Sequence, residues 1–162
     1  EVTFRRTVIP VQELLDAAGK YFKKSMKNRS ERIELEIEPM EAKVIGDVNQ
    51  LRFLLENLID EALTVREDGV IRLQARQDNE YIRFLFTDTR REKSVEELNQ
   101  LFYPNLARMT SGEKGELRGT EYLVCKQIIR DHDEFAGRRG CRINAEPAEG
   151  GGFTVYFTIP RR

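Results

Sequence analysis

The sequence is poor in the residues that mark specialised classes of protein. Its 162 residues include two cysteines, one histidine and five prolines, and the formal net charge is −1. So small a net charge gives no global field to attract polyanions, and we expect neither nucleic-acid binding nor direct membrane contact. The apolar runs are far shorter than the roughly 20 residues needed to cross a bilayer. The composition is 34% charged and 40% hydrophobic, as in an ordinary globular domain.

The two cysteines do not predict a metal site. Cys125 and Cys141 lack metal-ligand spacing and lie in apolar patterns, so we interpret them as reduced thiols in or near the core, with a disulfide between them as the alternative. The chain opens on a strand-like alternation instead of a secretory segment. We therefore expect a cytoplasmic domain, and a membrane-anchored sensor as its parent protein is compatible with this.

Hydrophobic periodicity predicts an α+β fold. Apolar residues recur at helical spacing in three long segments, and Asp47 with Gln50 has the spacing of a capping box. Ser94 and Glu97 have the same spacing before a short helix. The predicted helices are 11–28, 47–66, 94–101 and 119–132. The predicted strands are 3–8, 33–37, 42–45, 70–77, 81–87, 141–145 and 153–159.

Strands that come in neighbouring pairs between helices favour a two-layer α/β sandwich with a mixed, mostly antiparallel sheet and its helices on one face. Residues 1–162 show no internal linker, so we expect a single domain. The stretch Tyr103–Arg118 is long and rich in polar residues, which is typical of a lid, and we expect it to be the least ordered part of the chain.

Four short motifs occur in the following order along the chain. Asn57-Leu58-Ile59-Asp60-Glu61-Ala62 places a polar pair four residues apart on one helix face. Phe84-Leu85-Phe86-Thr87-Asp88 is a strand that ends in an aspartate. Glu96 to Asn105 reads EELNQLFYPN, and the chain closes with GGGFTVYFTIP from Gly150 to Pro160.

These motifs resemble the ATP-binding lobe of sensor histidine kinases, of the Bergerat fold shared with gyrase and MutL. The family motifs are N-L-I-x-N-A, D-x-G-x-G, E-x-L-x-x-L-F-x-P-F, a G-x-G-L lid hinge, and G-x-G-T-x-F-x-F-x-L-P. The resemblance implies ATP and magnesium as cofactors, an aspartate that accepts the adenine amino group, and a metal ligand at the second residue of the helix pair. The implied nucleotide-binding residues are Asn57, Glu61, Asp88, Arg90, Gly119 and Thr154, with Glu61 also at the metal position.

The sequence departs from this pattern where the nucleotide would lie. Arg90, Glu92 and Glu121 occupy positions at which the family has glycine, which removes backbone freedom and adds side-chain bulk. Glu61 replaces the asparagine of the family and adds a negative charge beside a triphosphate. Like charges about 4 Å apart cost roughly 4 kcal/mol at an effective dielectric of about 20. We expect nucleotide binding that is weak or lost, with an arginine pairing with Glu61.

Four functions remain open. The leading prediction is a degenerate histidine kinase lobe with a regulatory or interaction role, and the main alternative is an active ATP-dependent histidine kinase domain. A different Bergerat-fold ATPase and an anti-sigma-factor-like serine kinase are further alternatives. The resemblance implies an upstream dimerisation and phosphoacceptor hairpin as partner, a response regulator as a second candidate partner, and a longer sensor protein of which this is the C-terminal part. No catalytic residue is assigned, because His132 matches a structural histidine.

Overall fold

The structure, a computed structural model, describes residues 3–105, 110–111 and 117–162. Its helices are α1 (Val11–Met26), α2 (Val48–Ala62), α3 (Val95–Asn99) and α4 (Glu121–Phe135). Its strands are β1 (Thr7–Pro10), β2 (Ile33–Ile37), β3 (Lys43–Gly46), β4 (Gly69–Asp78), β5 (Tyr81–Asp88), β6 (Thr110–Ser111), β7 (Leu117–Arg118), β8 (Ile143–Pro147) and β9 (Phe153–Pro160).

The main sheet has five strands in the order β2-β4-β5-β9-β8. Only β2 and β4 run parallel, and the other three pairings are antiparallel. Strands β1 and β3 form a separate antiparallel pair, as do β6 and β7. The predicted mixed, mostly antiparallel sheet is therefore confirmed.

One face of this sheet is covered by the helices. The inward residues of β5 and β9 are buried, and the rings of Phe84 and Phe157 stack with centroids 4.8 Å apart. The apolar stripes of α1, α2 and α4 belong to the same buried cluster and contribute Leu15, Leu55 and Ile129 to it. A stripe of this kind needs an apolar surface to cover, and the inward face of the sheet provides it.

The opposite face of the sheet is polar. Arg72 pairs with Glu36 across β2 and β4 at 3.1 Å, and Arg76 pairs with Glu38 at 2.8 Å. These ion pairs lie on the face away from the helices, and the predicted two-layer architecture with helices on one face is confirmed.

The first strand begins later than the predicted 3–8. Before Thr7 the chain makes other contacts: the Arg5 amide donates to Asp47 Oδ2 at 2.8 Å, and the ring of Phe4 meets the ring of His132 edge-on with centroids 4.8 Å apart. These contacts tie the segment to the start of α2 and the end of α4, so it does not continue the ladder with β3.

Helix α2 differs from its prediction at both ends. The side chain of Asp47 accepts from the Gln50 amide at 3.1 Å, as expected of a cap. The return bond of a capping box is absent, because the Asp47 amide donates to His132 Nε2 at 3.0 Å. The helix ends at Ala62 and not near Arg66. Beyond it, the Leu63 carbonyl accepts from Arg29 and the Val65 carbonyl accepts from Arg90.

The short helix α3 has the complete predicted capping box between Ser94 and Glu97. Of the predicted lid, residues 106–109 and 112–116 lie outside the described part of the chain, so the expected disorder there stays a prediction. Within the described ranges, no helix is long and apolar enough to cross a membrane.

Candidate functional site

The candidate site lies where the end of β5 meets the end of α2. Asp88 is the last residue of β5 and is only 4% exposed. Side chains alternate along a strand, so Asp88 shares the inward face with Phe84 and Phe86. A carboxylate buried on this face requires partners.

Arg90 supplies those partners. Its Nε donates to Asp88 Oδ1 and its Nη2 to Oδ2, both at 2.9 Å, and its backbone amide donates to Oδ1 at 3.0 Å. The side chain of Arg90 is 1% exposed and that of Asp88 is 6% exposed. A fork-to-fork pair of this kind combines charge with fixed geometry. The Asp88 carboxylate is thus neutralised by a residue two positions along the chain.

The remaining donors of Arg90 close the end of α2. Nη1 donates to the carbonyls of Val65 and Glu67, both at 2.9 Å, and Nη2 donates to the Ala62 carbonyl at 2.7 Å. A guanidinium has five N–H groups, so the side chain uses them all. The last carbonyls of a helix lack partners within it and carry partial negative charge. Arg90 therefore caps α2 at the Ala62 carbonyl and binds two carbonyls of the turn that follows the helix.

Two glycines allow this corner to close. A β-carbon on Gly69, whose φ is +144°, would lie 2.6 Å from Arg90 Cγ. One on Gly152, whose φ is +83°, would lie 2.1 Å from the Asp88 carbonyl oxygen. Only glycine fits such approaches at positive φ without strain. The backbone therefore packs directly against both members of the ion pair.

Little space remains beside the pair. A cavity of about 40 Å³ lies between α2, β5, β9 and α4, whereas ligand pockets usually measure about 300–1,000 Å³. Its lining includes Glu61, Asp88, Arg91, Lys93 and Phe153. Among the described residues, this cavity is several times smaller than such pockets.

Two cations that border the cavity are held at its edge. Arg91 Nη2 lies 3.3 Å from Glu67 Oε1, and Lys93 Nζ lies 5.4 Å from the centre of the Phe153 ring. The expected pairing of an arginine with Glu61 is wrong for Arg90, whose donors are all engaged elsewhere. Lys93, three residues after Arg90 in the same charged loop, was not predicted as a residue of the site.

Thr154 does not join Asp88. In the register of β5 and β9, Thr154 lies opposite Thr87 and Phe153 lies opposite Asp88. The hydroxyls of Thr87 and Thr154 are 2.7 Å apart and both residues are buried. The threonine pair thus lies on the sheet face away from the helices. Counted back from Pro160, the terminal motif places Phe153 where the family has its threonine.

The other candidate residues also lie apart from the cavity. The buried Asn57 amide donates to the Phe53 carbonyl at 2.8 Å, within its own helix. Gly119 has a φ of +81°, and its amide donates to Glu121 Oε1 at 3.2 Å. Of the six predicted binding residues, Glu61 and Asp88 line the cavity and Arg90 occupies the adjoining space.

His132 belongs to the structural framework. It is fully buried, its Nδ1 lies 2.8 Å from the Ile128 carbonyl oxygen, and its Nε2 accepts from the Asp47 amide. These bonds define a neutral ring with the proton on Nδ1. Burial lowers the pKa of His132, because the charged form would lose its solvation.

No cluster of three or more histidine, cysteine, aspartate or glutamate side chains suited to a metal occurs among the described residues. Both cysteines are free thiols, and burial raises the pKa of each. A metal role for Glu61 therefore stays a prediction that rests on the resemblance alone.

Comparison with known proteins decides the family. Residues 46–162, well over half of the chain, match the model of the histidine kinase-, DNA gyrase B- and HSP90-like ATPases. The chain belongs to this ATPase family. A search of curated proteins finds no match.

Solved structures show that the kinase-type form of this ATPase fold extends over the whole chain. The catalytic domain of the histidine kinase ThkA shares 21% identity and a TM-score of 0.72, with 99% of this chain and 98% of that one covered. The mycobacterial sensor histidine kinase MprB gives 20% identity and a TM-score of 0.73, with 98% and 99% covered. At such identity the likeness concerns the ATPase fold and not the state of the nucleotide site.

One further solved structure contains a partner. ThkA in complex with the response regulator protein TrrA aligns at 18% identity and a TM-score of 0.72, with 98% of this chain and 42% of that chain covered. The ATPase fold described here is thus one part of that longer kinase chain.

Proposed function

We propose that this domain is a histidine kinase ATPase lobe whose nucleotide binding is impaired or lost, and that it serves a regulatory or interaction role in a sensor protein. The observation that carries the proposal is the buried pair of Arg90 and Asp88. In the family pattern Asp88 would accept the adenine amino group. Here both of its oxygens accept from Arg90.

The charge of the site supports the same conclusion. Glu61 lines the small cavity next to Asp88 and brings a carboxylate toward the place of a triphosphate. To admit a nucleotide, Arg90 would have to leave Asp88 and the carbonyls of Ala62, Val65 and Glu67. Separating a buried pair in this way is costly.

The partners follow from the family. We propose the upstream dimerisation and phosphoacceptor hairpin of the same protein as the first partner, and a response regulator as a second. The complex of ThkA with TrrA supports the second. We also propose a cytoplasmic location and a longer parent chain.

The alternative is an active ATP-dependent histidine kinase domain that phosphorylates a histidine on the upstream hairpin. Membership of an ATPase family favours it. In that case the Arg90–Asp88 pair would open when nucleotide arrives, and Glu61 would serve as the magnesium ligand, a role that carboxylates can perform.

Titration calorimetry with Mg-ATP separates the two. We expect no measurable binding by the unaltered domain at physiological salt. We expect binding to appear in a variant with glycine at positions 90, 92 and 121 and asparagine at 61. Low-micromolar binding by the unaltered domain would refute the proposal and establish the active kinase as the better description.

A further inference from the structure

Strand β2 forms one edge of the main sheet, and its other side is open. It follows α1 in the chain and pairs with β4. An edge strand offers backbone groups to an incoming strand unless it is covered or blunted. The backbone N–H and C=O groups of β2 that do not bond to β4 are therefore available to a further strand.

The hydrogen bonds between β2 and β4 show which backbone groups of β2 remain unpaired. The Gly69 amide donates to the Arg32 carbonyl at 3.0 Å, and the Glu38 amide donates to the Leu73 carbonyl at 3.1 Å. In a parallel ladder, alternate residues of a strand bond to one neighbour, so residues 32, 34, 36 and 38 face β4. The N–H and C=O groups of Ile33, Leu35 and Ile37 therefore point to the free edge, and no partner for them occurs in the described part of the chain.

A groove runs along this edge, between β2 and α1, with a volume of about 780 Å³. Its apolar surface comes from Phe22 together with Leu35 and Ile37, which are only partly buried. Gly19 of α1 faces this strand: a β-carbon there would lie 3.2 Å from Ile37 Cδ1. The groove thus combines apolar surface with unpaired backbone groups.

The contacts between β2 and β4 show which side chains can lie beside β2. Its outward residues Arg72 and Arg76 pair with Glu36 and Glu38, while its inward residues are apolar. Glu34 lies on the same outward face and has no ion pair within the described ranges. A second copy of β2 would set glutamate against glutamate, which is unfavourable in neighbouring strands.

We propose that the free edge of β2 docks an extended segment of a partner protein in which apolar residues alternate with lysine or arginine. The apolar side chains lie against Leu35, Ile37 and α1, and the basic side chains lie beside Glu34 and Glu36. Backbone hydrogen bonds to residues 33, 35 and 37 extend the sheet by one strand, as in other β-augmentation complexes. The proposal does not depend on the state of the nucleotide site, because β2 is two strands away from β5.

Amide hydrogen exchange by NMR tests this with a defined probe, the capped peptide Ac-Lys-Val-Lys-Val-Lys-Val-Lys-NH2. The matched control peptide has glutamate in place of each lysine. We expect the basic peptide to slow exchange at Ile33, Leu35 and Ile37, whose amides face solvent in the free protein. The amides of Glu34 and Glu36 already bond to β4 and should change little. Equal protection by both peptides, or protection by neither, would show that the charged edge of β2 does not bind a basic strand selectively. Either result would overturn the proposal.

Proline at position 35 provides the matching variant. Leu35→Pro removes an N–H that points to the groove and leaves the bonds to β4 in place, whereas Leu35→Ala removes a similar apolar contact and keeps the N–H. We expect the proline variant to bind the basic peptide roughly tenfold more weakly than the alanine variant. If the proline variant fails to fold, Glu34→Lys replaces it as the test, because this change leaves the backbone unaltered. It should weaken the binding of the basic peptide. Unchanged affinity in Glu34→Lys would contradict the charge pattern proposed.

Discussion

The two ends of α2 are both held by buried polar groups, but they are built in different ways. At the start, Asp47 caps the helix, and its backbone amide bonds to His132. At the end, one arginine from the β5 loop binds the Ala62 carbonyl and two carbonyls of the following turn, and it pairs with Asp88. The first end uses a residue that the local sequence predicts as a cap. The second uses a residue at a position where the family has glycine.

On the proposed function, Arg90 stabilises this corner at the expense of a nucleotide site. It binds the Ala62 carbonyl of α2 and two carbonyls of the following turn with strong, charge-assisted hydrogen bonds. It fills the space beside Asp88, which the resemblance to histidine kinases places at the adenine amino group. We therefore expect mutations at the two ends of α2 to lower the stability of the domain by different amounts.

The largest effect is expected at Arg90. Arg90→Met keeps an apolar chain of similar length but removes every donor, so Asp88 stays buried without its partner. Removing one member of a buried ion pair typically costs about 3–5 kcal/mol, and we expect a loss of that size in the free energy of unfolding by urea. The control is Arg91→Met, whose side chain is 56% exposed and whose loss should stay within about 0.5 kcal/mol. Similar losses in both variants would show that the pair is not a structural cap.

A smaller effect is expected at Gly152. Gly152→Ala places a methyl group 2.1 Å from the Asp88 carbonyl oxygen at a φ of +83°, so backbone must move at the corner that holds the pair. We expect a loss of about 2–3 kcal/mol in thermal or urea unfolding. Gly150→Ala has a comparable φ of +88° with nothing within 4 Å, and conformational strain alone should cost it about 1 kcal/mol. If the two variants lose equal stability, the close approach at Gly152 is not the cause.

The smallest effect concerns the start of α2 and depends on pH. Burial lowers the pKa of His132, although the carboxylates of Asp47 and Asp131 act in the opposite direction. The unfolded histidine titrates near 6.5, so the unfolded chain takes up the proton first as the pH falls. Stability from this residue is complete above that value and declines below it, by at most about 1.4 kcal/mol per pH unit.

Urea unfolding at pH values of about 7.5 and about 5.5 measures this decline. His132→Gln is the control, because glutamine does not titrate and other groups contribute equally to both proteins. We expect the unaltered protein to lose more stability than the variant over this interval. An equal loss in both would mean that His132 titrates normally in the folded state.

Most of the fold could be predicted because it depends on local patterns. The apolar stripes of α1, α2 and α4 and the alternation in β5 and β9 each require a buried face, and together they define two layers. The boundaries were less accurate where a distant residue intervenes. Beyond Ala62 the carbonyls of Leu63 and Val65 accept from Arg29 and Arg90 instead of continuing α2. Strand β1 starts late because Arg5 and Phe4 contact Asp47 and His132.

The site was harder to predict than the fold. The resemblance to histidine kinases placed Asp88 and Glu61 at one site, and both residues line the same cavity. An arginine, either Arg90 or Arg91, was expected to pair with Glu61. Arg90 bonds to Asp88 instead, because the sequence alone cannot rank the two carboxylates. Thr154 was chosen one residue beyond the family position, and the strand register assigns it to the other face.

The state of the Arg90–Asp88 pair during nucleotide addition can be observed directly. The Nε–H of Arg90 is buried and bonded to Asp88, so its NMR signal should exchange slowly with solvent. If the site is closed as proposed, this signal stays at the same position and remains protected as Mg-ATP is raised to millimolar concentration. A shift of the signal that saturates at low-micromolar Mg-ATP, with loss of protection, would show that the nucleotide displaces Arg90 and would contradict the closed site.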